Sequence, residues 1–169
     1  MGRVLHSSGF SKRASGWGHL VGDEGSAYHL AKTAIELIHQ QEDGLLPLSD
    51  DEHLRGLDTS AIAHRLNRYF GTKSVEEVNQ QLYKSFDKSR IAGFCQELAY
   101  LARQGDRASC YLFEQAGAHL ARIFVALLPS YVCVLEDDGS DSSGGYGVNT
   151  SPAMRISEFE WKFLLRKLY

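Results

Sequence analysis

Apolar residues recur at three- and four-residue steps along much of the chain, the period of a helical protein. From Glu24 to about Gln41, Ala27, Leu30, Ala31, Ala34, Leu37 and Ile38 fall on one stripe, with Gly44 and Pro47 expected to end the helix. A second helical region is predicted from about Asp50 to Phe70, broken near Gly56 and capped afresh at Asp58 or Thr59. Its apolar face is Ile62, Leu66, Tyr69 and Phe70, and Gly71 follows as a stop. Ser74-Val75-Glu76-Glu77 places Glu three residues after Ser, a capping box that opens a short helix to about Lys84.

Two clearer helices follow. Between Asp87 and Gln104, Ile91, Phe94, Cys95, Leu98, Leu101 and Ala102 keep the helical period, and Gly105-Asp106 closes it. From about Arg107 to Leu128, Leu112, Phe113, Ala116, Leu120, Ile123, Phe124 and Leu127 do the same, and Pro129 is predicted to end the run. Burying one Leu, Ile or Phe contributes roughly 1.5 to 3 kcal/mol, so these faces are expected to pack together as a core. Past Pro129 the character changes. Val132 to Leu135 reads as a short buried strand, and residues 136–151 read as a flexible acidic Gly/Ser loop. That loop lacks the distant acidic ligand of a calcium-binding hand. Arg155 to Tyr169 is rich in apolar residues and fits neither period.

Length and composition narrow the class. A chain of 169 residues, 43% hydrophobic and 23% charged, buries one core but hardly two. A net charge of −3 gives no basic stripe, so nucleic acid is not an expected partner. The longest fully apolar run, Ile123 to Leu128, has six residues against the roughly 20 that span a bilayer. With no apolar leader at the N-terminus, the expected location is the cytoplasm. Three cysteines, Cys95, Cys110 and Cys133, are widely spaced and odd in number, which favours buried free thiols over disulfides or a metal cluster.

The candidate chemistry lies in Ser15 to Ser26, where four glycines, one tryptophan and two carboxylates precede the first helical stripe. Glycine lets a backbone approach a ligand closely, an exposed indole offers a flat apolar face, and a carboxylate accepts two hydroxyl hydrogen bonds at once. Those are the parts of a sugar site. The same residues also suit a tight turn capped onto a helix, with Asp23 or Ser26 as N-cap and Trp17 as a buried anchor. The glycine spacing is neither the dinucleotide fingerprint nor a P-loop.

Gly16 to Ala31 resembles the sugar-binding motif of eukaryotic N-acetylglucosamine kinases. Tyr83 to Cys95, Tyr-Lys-Ser-Phe-Asp-Lys-Ser-Arg-Ile-Ala-Gly-Phe-Cys, resembles the segment through which those kinases contact adenine. The two stand in the family's order, and the similarity runs from about Ser15 to Pro129. The resemblance implies a mainly α, overall α/β fold: part of the C-terminal lobe of an actin-like sugar kinase, with helices on a small or incomplete sheet. Residues 15–129 would be the sugar and nucleotide lobe, 1–14 a remnant of a preceding region and 130–169 a divergent tail. It implies ATP and Mg²⁺ as cofactors and transfer of phosphate to the 6-hydroxyl of N-acetylglucosamine. Gly16, Trp17 and Gly18 would line the sugar site, Asp23 would bond ring hydroxyls, and Ala92 would meet adenine.

The chain departs from that family on both sides. The phosphate-binding hairpin and the general-base aspartate are expected in an N-terminal lobe of which only about 15 residues precede the motif here, and the family's glycine-rich nucleotide turn gives way to unrelated acidic sequence. Loss of a general base alone costs about 10²- to 10⁴-fold, so this polypeptide by itself is expected to show no appreciable turnover. The alternative is a non-catalytic piece that at most holds sugar weakly or pairs with full-length subunits through exposed apolar helices, a homodimer being one such pairing. A dehydratase-activating ATPase of the same superfamily would need cluster-binding cysteines, and the three here sit in the wrong contexts.

Overall fold

The structure, a computed structural model, describes residues 1–5 and 9–137. They fall in the first of the two units into which the chain divides, Met1–Asp138 and Gly139–Tyr169. Two strands, β1 (Gly2–Leu5) and β2 (Ser11–Ala14), form an antiparallel pair in which Gly2 faces Ala14 and Leu5 faces Ser11. Six α-helices follow among the described residues, α1 (Ala27–Glu42), α2 (Ser60–Phe70), α3 (Val75–Lys84), α4 (Lys88–Gly93), α5 (Cys95–Arg103) and α6 (Arg107–Asp137), with a short 3-10 turn at Leu46–Leu48 after α1. Helix α1 is central, packing on α4, α6, α2, α5 and α3, while α6 also carries the strand pair.

Helix starts follow local chemistry closely. Ser26 caps α1 by accepting from the His29 N–H at 3.1 Å, and Ser74 caps α3 by accepting from the Glu77 N–H at 3.4 Å. In the capping box Glu77 reaches back one residue further than the motif predicts, to the Lys73 N–H at 2.9 Å. Gly71 closes α2 at φ 71°, a left-handed value that glycine adopts without strain. Inside, Ala31, Ala34 and Ile38 of α1 meet Ile62 and Leu66 of α2, Phe94 and Leu98 around α5, and Leu112 of α6 in one core.

Several expectations are corrected. Residues 50–57 form turns, and only Ser60–Phe70 is helical: Asp58 stops the chain with an Asx turn, its Oδ1 accepting from the Ser60 N–H at 2.9 Å. The helix predicted from Asp87 to Gln104 is two helices that meet at Phe94. Pro129 does not end α6, which runs for 31 residues to Asp137, so Val132 to Leu135 is helix and not strand. Proline removes a single backbone hydrogen bond and crowds one turn; propagation past that local fault needs no new nucleus. The two strands fall within 1–14, where the apolar pattern is too short to announce them. Leu120 and Phe124, expected in the core, are 52% and 55% exposed among the described residues, because only one side of α6 meets α1 and the strands. The remainder of the acidic loop, beyond Asp137, and Arg155 to Tyr169 lie outside the described residues.

A half-buried tie fixes the loop after α1 to α6: the Tyr111 hydroxyl donates to Asp51 Oδ2 at 2.9 Å. Burial first, then the bond to Asp51, pushes Tyr111 up to about 12. An unfolded tyrosine ionises near 10. Between about 10 and about 12 the folded chain therefore keeps a proton that the unfolded chain has lost, and stability falls as pH rises. Urea melts across that window are expected to show a weaker alkaline loss in Tyr111→Phe than in the parent chain; equal slopes would remove Tyr111 as the cause.

Candidate functional site

The segment between β2 and α1 is a compact loop built on glycine. Gly16, Gly18 and Gly25 have φ of 79°, 100° and 76°, and Ser15 shares the left-handed region at 64°. The Gly18 carbonyl accepts from the Gly22 N–H at 2.9 Å and from the Val21 N–H at 3.2 Å, while the Trp17 N–H donates to Gly22 O at 3.0 Å. Residues 17–22 thus close on themselves, with Leu20 and Val21 at an exposed tip. Trp17 is not a buried anchor. It is 68% exposed, and the Arg13 guanidinium lies 4.0 Å from its ring centre.

Asp23 leaves this loop toward α4. Its Oδ2 lies 2.8 Å from Lys88 Nζ in an ion pair in which the carboxyl is the more buried partner. Lys88 holds Asp23 below the ordinary carboxylate range against the opposing effect of burial, and the Ser26 hydroxyl and His19 pull the same way. Since Ser26 is the N-cap, Asp23 is free of that duty. A cleft of about 210 Å³ opens here, lined by His19, Leu20, Val21, Gly22, Asp23, Glu24, Tyr28, His29 and Lys32.

Gly16, Trp17 and Gly18 do not line the cleft, so among the expected sugar contacts Asp23 alone is on its wall. The indole stands behind that wall. A Cβ built on Gly22 would lie 3.2 Å from Trp17 Cβ, which makes Gly22 the thin partition between the ring and the cleft.

The two separated segments meet in space. His19 stacks on Phe86 at 5.2 Å and 22°, and Tyr28 meets both rings edge-on at 5.4 and 6.2 Å. Lys88 Nζ is 5.5 Å from the Tyr28 ring centre. Sequence reasoning assigns no role to His19, Phe86 or Lys88. The signal available was the opposite charge of Asp23 and Lys88, and charge alone does not say which of the chain's 18 cations will find a given carboxylate.

Ala92 lies on α4, half-buried and packed against the core. Beside the same segment a second cleft, about 370 Å³, is lined by Phe70, Gln81, Leu82, Lys84, Ser85, Asp87 and Arg90, and does not include Ala92. The Arg90 guanidinium sits 5.1 Å from the Phe70 ring centre, and Asp87 is occupied in capping α4. Among the described residues no group of three His, Cys, Asp or Glu side chains is placed to hold a metal ion. Cys95 and Cys110 are free and half-buried rather than fully buried, with burial pushing both thiols up; Cys133 has no described side chain. No helix among the described residues is long and apolar enough to cross a membrane.

No protein-family model matches this chain. Among solved structures it is similar to a putative N-acetylglucosamine kinase from Chromobacterium violaceum, with a TM-score of 0.54 and 24% sequence identity over 75% of this chain. The chain spans 40% of that protein's length. At this identity the likeness is one of fold. It bears out the expected class, mainly helical with a small sheet, without pointing to the eukaryotic kinases in particular.

Proposed function

We propose that this chain is the sugar-holding part of an ATP-dependent N-acetylglucosamine kinase, whose complete form transfers phosphate to the 6-hydroxyl. The observation that carries the reading is Asp23, paired with Lys88 on the wall of a cleft between the glycine-rich loop and α1. An ionised carboxylate makes short, charge-assisted bonds to adjacent hydroxyls and accepts two at once. The cleft volume of about 210 Å³ is below the roughly 300 to 1,000 Å³ of sites for drug-sized ligands, and suits one sugar ring. In this reading Asp23 orients the ring, and Gly16, Trp17 and Gly18 shape and back the loop. ATP would lie against the α4 segment, near Ala92, with Lys84 and Arg90 supplying positive charge. Phosphoryl transfer rests on positioned phosphate contacts and a base for the accepting hydroxyl. The alternative, a non-catalytic piece that pairs with a second copy, has the exposed Leu120 and Phe124 of α6 in its favour.

Calorimetry of N-acetylglucosamine into the purified chain tests the proposal. Binding is expected, with glucose weaker, and Asp23→Ala is expected to lose about tenfold to a hundredfold in affinity, the range for hydrogen bonds to a charged group. Because Ser26 and not Asp23 caps α1, that variant keeps the cap and should lose only the ion pair with Lys88, about 1 kcal/mol of stability at most. A flat trace for folded parent chain sinks the proposal.

A further inference from the structure

Lys88 begins a helix on one segment and ends in an ion pair on the other, so the sugar loop and the α4 segment do not stand independently. Three contacts join them at one place: Lys88 Nζ to Asp23 Oδ2 at 2.8 Å, His19 stacked on Phe86 at 5.2 Å, and Lys88 over the Tyr28 ring at 5.5 Å. Two of these are indifferent to charge on the carboxylate, being made by rings. The first is not, and it touches a carboxylate on the wall of the cleft.

From this juxtaposition we infer that Lys88 is a positioning residue for sugar binding: through its pair with Oδ2 it fixes the Asp23 carboxylate on the cleft wall, and it ties the loop to α4. The inference rests on the proposed sugar reading. The charged and titratable groups around Asp23 are Lys88 from α4, His19 and Glu24 from its own loop, and His29 and Lys32 from α1. Lys88 is the principal cause that draws the Asp23 carboxyl below the ordinary carboxylate range, and burial opposes it. Removing the ammonium leaves burial less opposed, so the carboxyl takes up its proton at a higher pH. A protonated Asp23 is a poorer acceptor. Sugar affinity in a Lys88 variant should then fall at a pH where the parent chain still binds fully.

The experiment is calorimetry of N-acetylglucosamine against parent, Lys88→Met and Lys88→Arg chains over acid to neutral pH, with a thermal melt of each. Lys88→Met is expected to bind about fivefold more weakly at neutral pH, the upper range for a partly exposed ion pair. Its acid limb should be displaced upward, and Lys88→Arg should restore both. A lysine that served stability alone would lower the melting temperature of Lys88→Met without moving the acid limb, and that result overturns the inference while the sugar reading stands. Unchanged affinity and an unchanged acid limb in folded Lys88→Met does the same. A flat trace for the parent chain removes the sugar reading first and this inference with it.

Discussion

Phe94→Ala is expected to cost about 3 to 5 kcal/mol of folding stability, the range for truncating a fully buried aromatic ring. Phe94 has no exposed surface and sits where α4 ends and α5 begins, capping both. Its ring lies 5.6 Å from that of Tyr69, whose hydroxyl donates to Arg90 O at 2.9 Å. The site has little freedom to collapse around an alanine, because the backbone on each side is committed to a helix. A domain is stable by about 5 to 15 kcal/mol, so the variant would lose a large share. Urea denaturation measures the loss, and Phe86→Ala is the control: Phe86 is 54% exposed and stacked on His19, and its removal should cost far less. Equal losses for the two would mean that the core is not centred where α4 and α5 meet.

The helices were legible wherever one face stayed apolar for several turns and a polar residue marked the start. Ser26, Ser74 and Asp87 each accept from backbone N–H groups of the turn that follows, which makes a cap readable without tertiary information. What was not legible depended on neighbours distant in sequence. The strand pair owes its place to α6: a Cβ at Gly2 would lie 2.7 Å from Leu127 Cδ1, a fit that four strand residues cannot announce. Pro129 misled for the opposite reason, since a local rule about proline is overridden when helix continues on both sides.

The candidate site was legible as two segments and not as a place. Residue types around Trp17 and Asp23 suggested a sugar, and the resemblance suggested a nucleotide contact near Ala92. The structure joins the segments through His19 with Phe86 and Asp23 with Lys88, contacts whose partners lie on different elements. Trp17 stands behind the cleft wall that Asp23 occupies, in a loop where Gly16 and Gly18 take left-handed φ values. Glycine content signals such freedom without saying which way the chain will turn.

Gly25→Val carries the second large effect, because one side chain would meet two obstacles of different kind. Gly25 has φ of 76°, where a β-branched residue is a rare outlier and strain of about 1 to 3 kcal/mol is typical. Its Cβ would also lie 3.2 Å from Ala116 O and 3.3 Å from Leu120 Cγ. The leucine can swing aside, but the carbonyl belongs to the backbone of α6 and yields only if the loop moves. Gly44→Val separates the two causes, for Gly44 has a similar φ of 70° and nothing within 4 Å. The expected result is a moderate stability loss in Gly44→Val with sugar binding intact, and a larger loss in Gly25→Val accompanied by weakened binding. Binding suffers because Gly25 lies two positions after Asp23, so a loop pushed off α6 carries the carboxylate away from Lys88. If the two valine variants match in both stability and sugar affinity, the loop is not held against α6 at Gly25, and the geometry that presents Asp23 to the cleft has another origin.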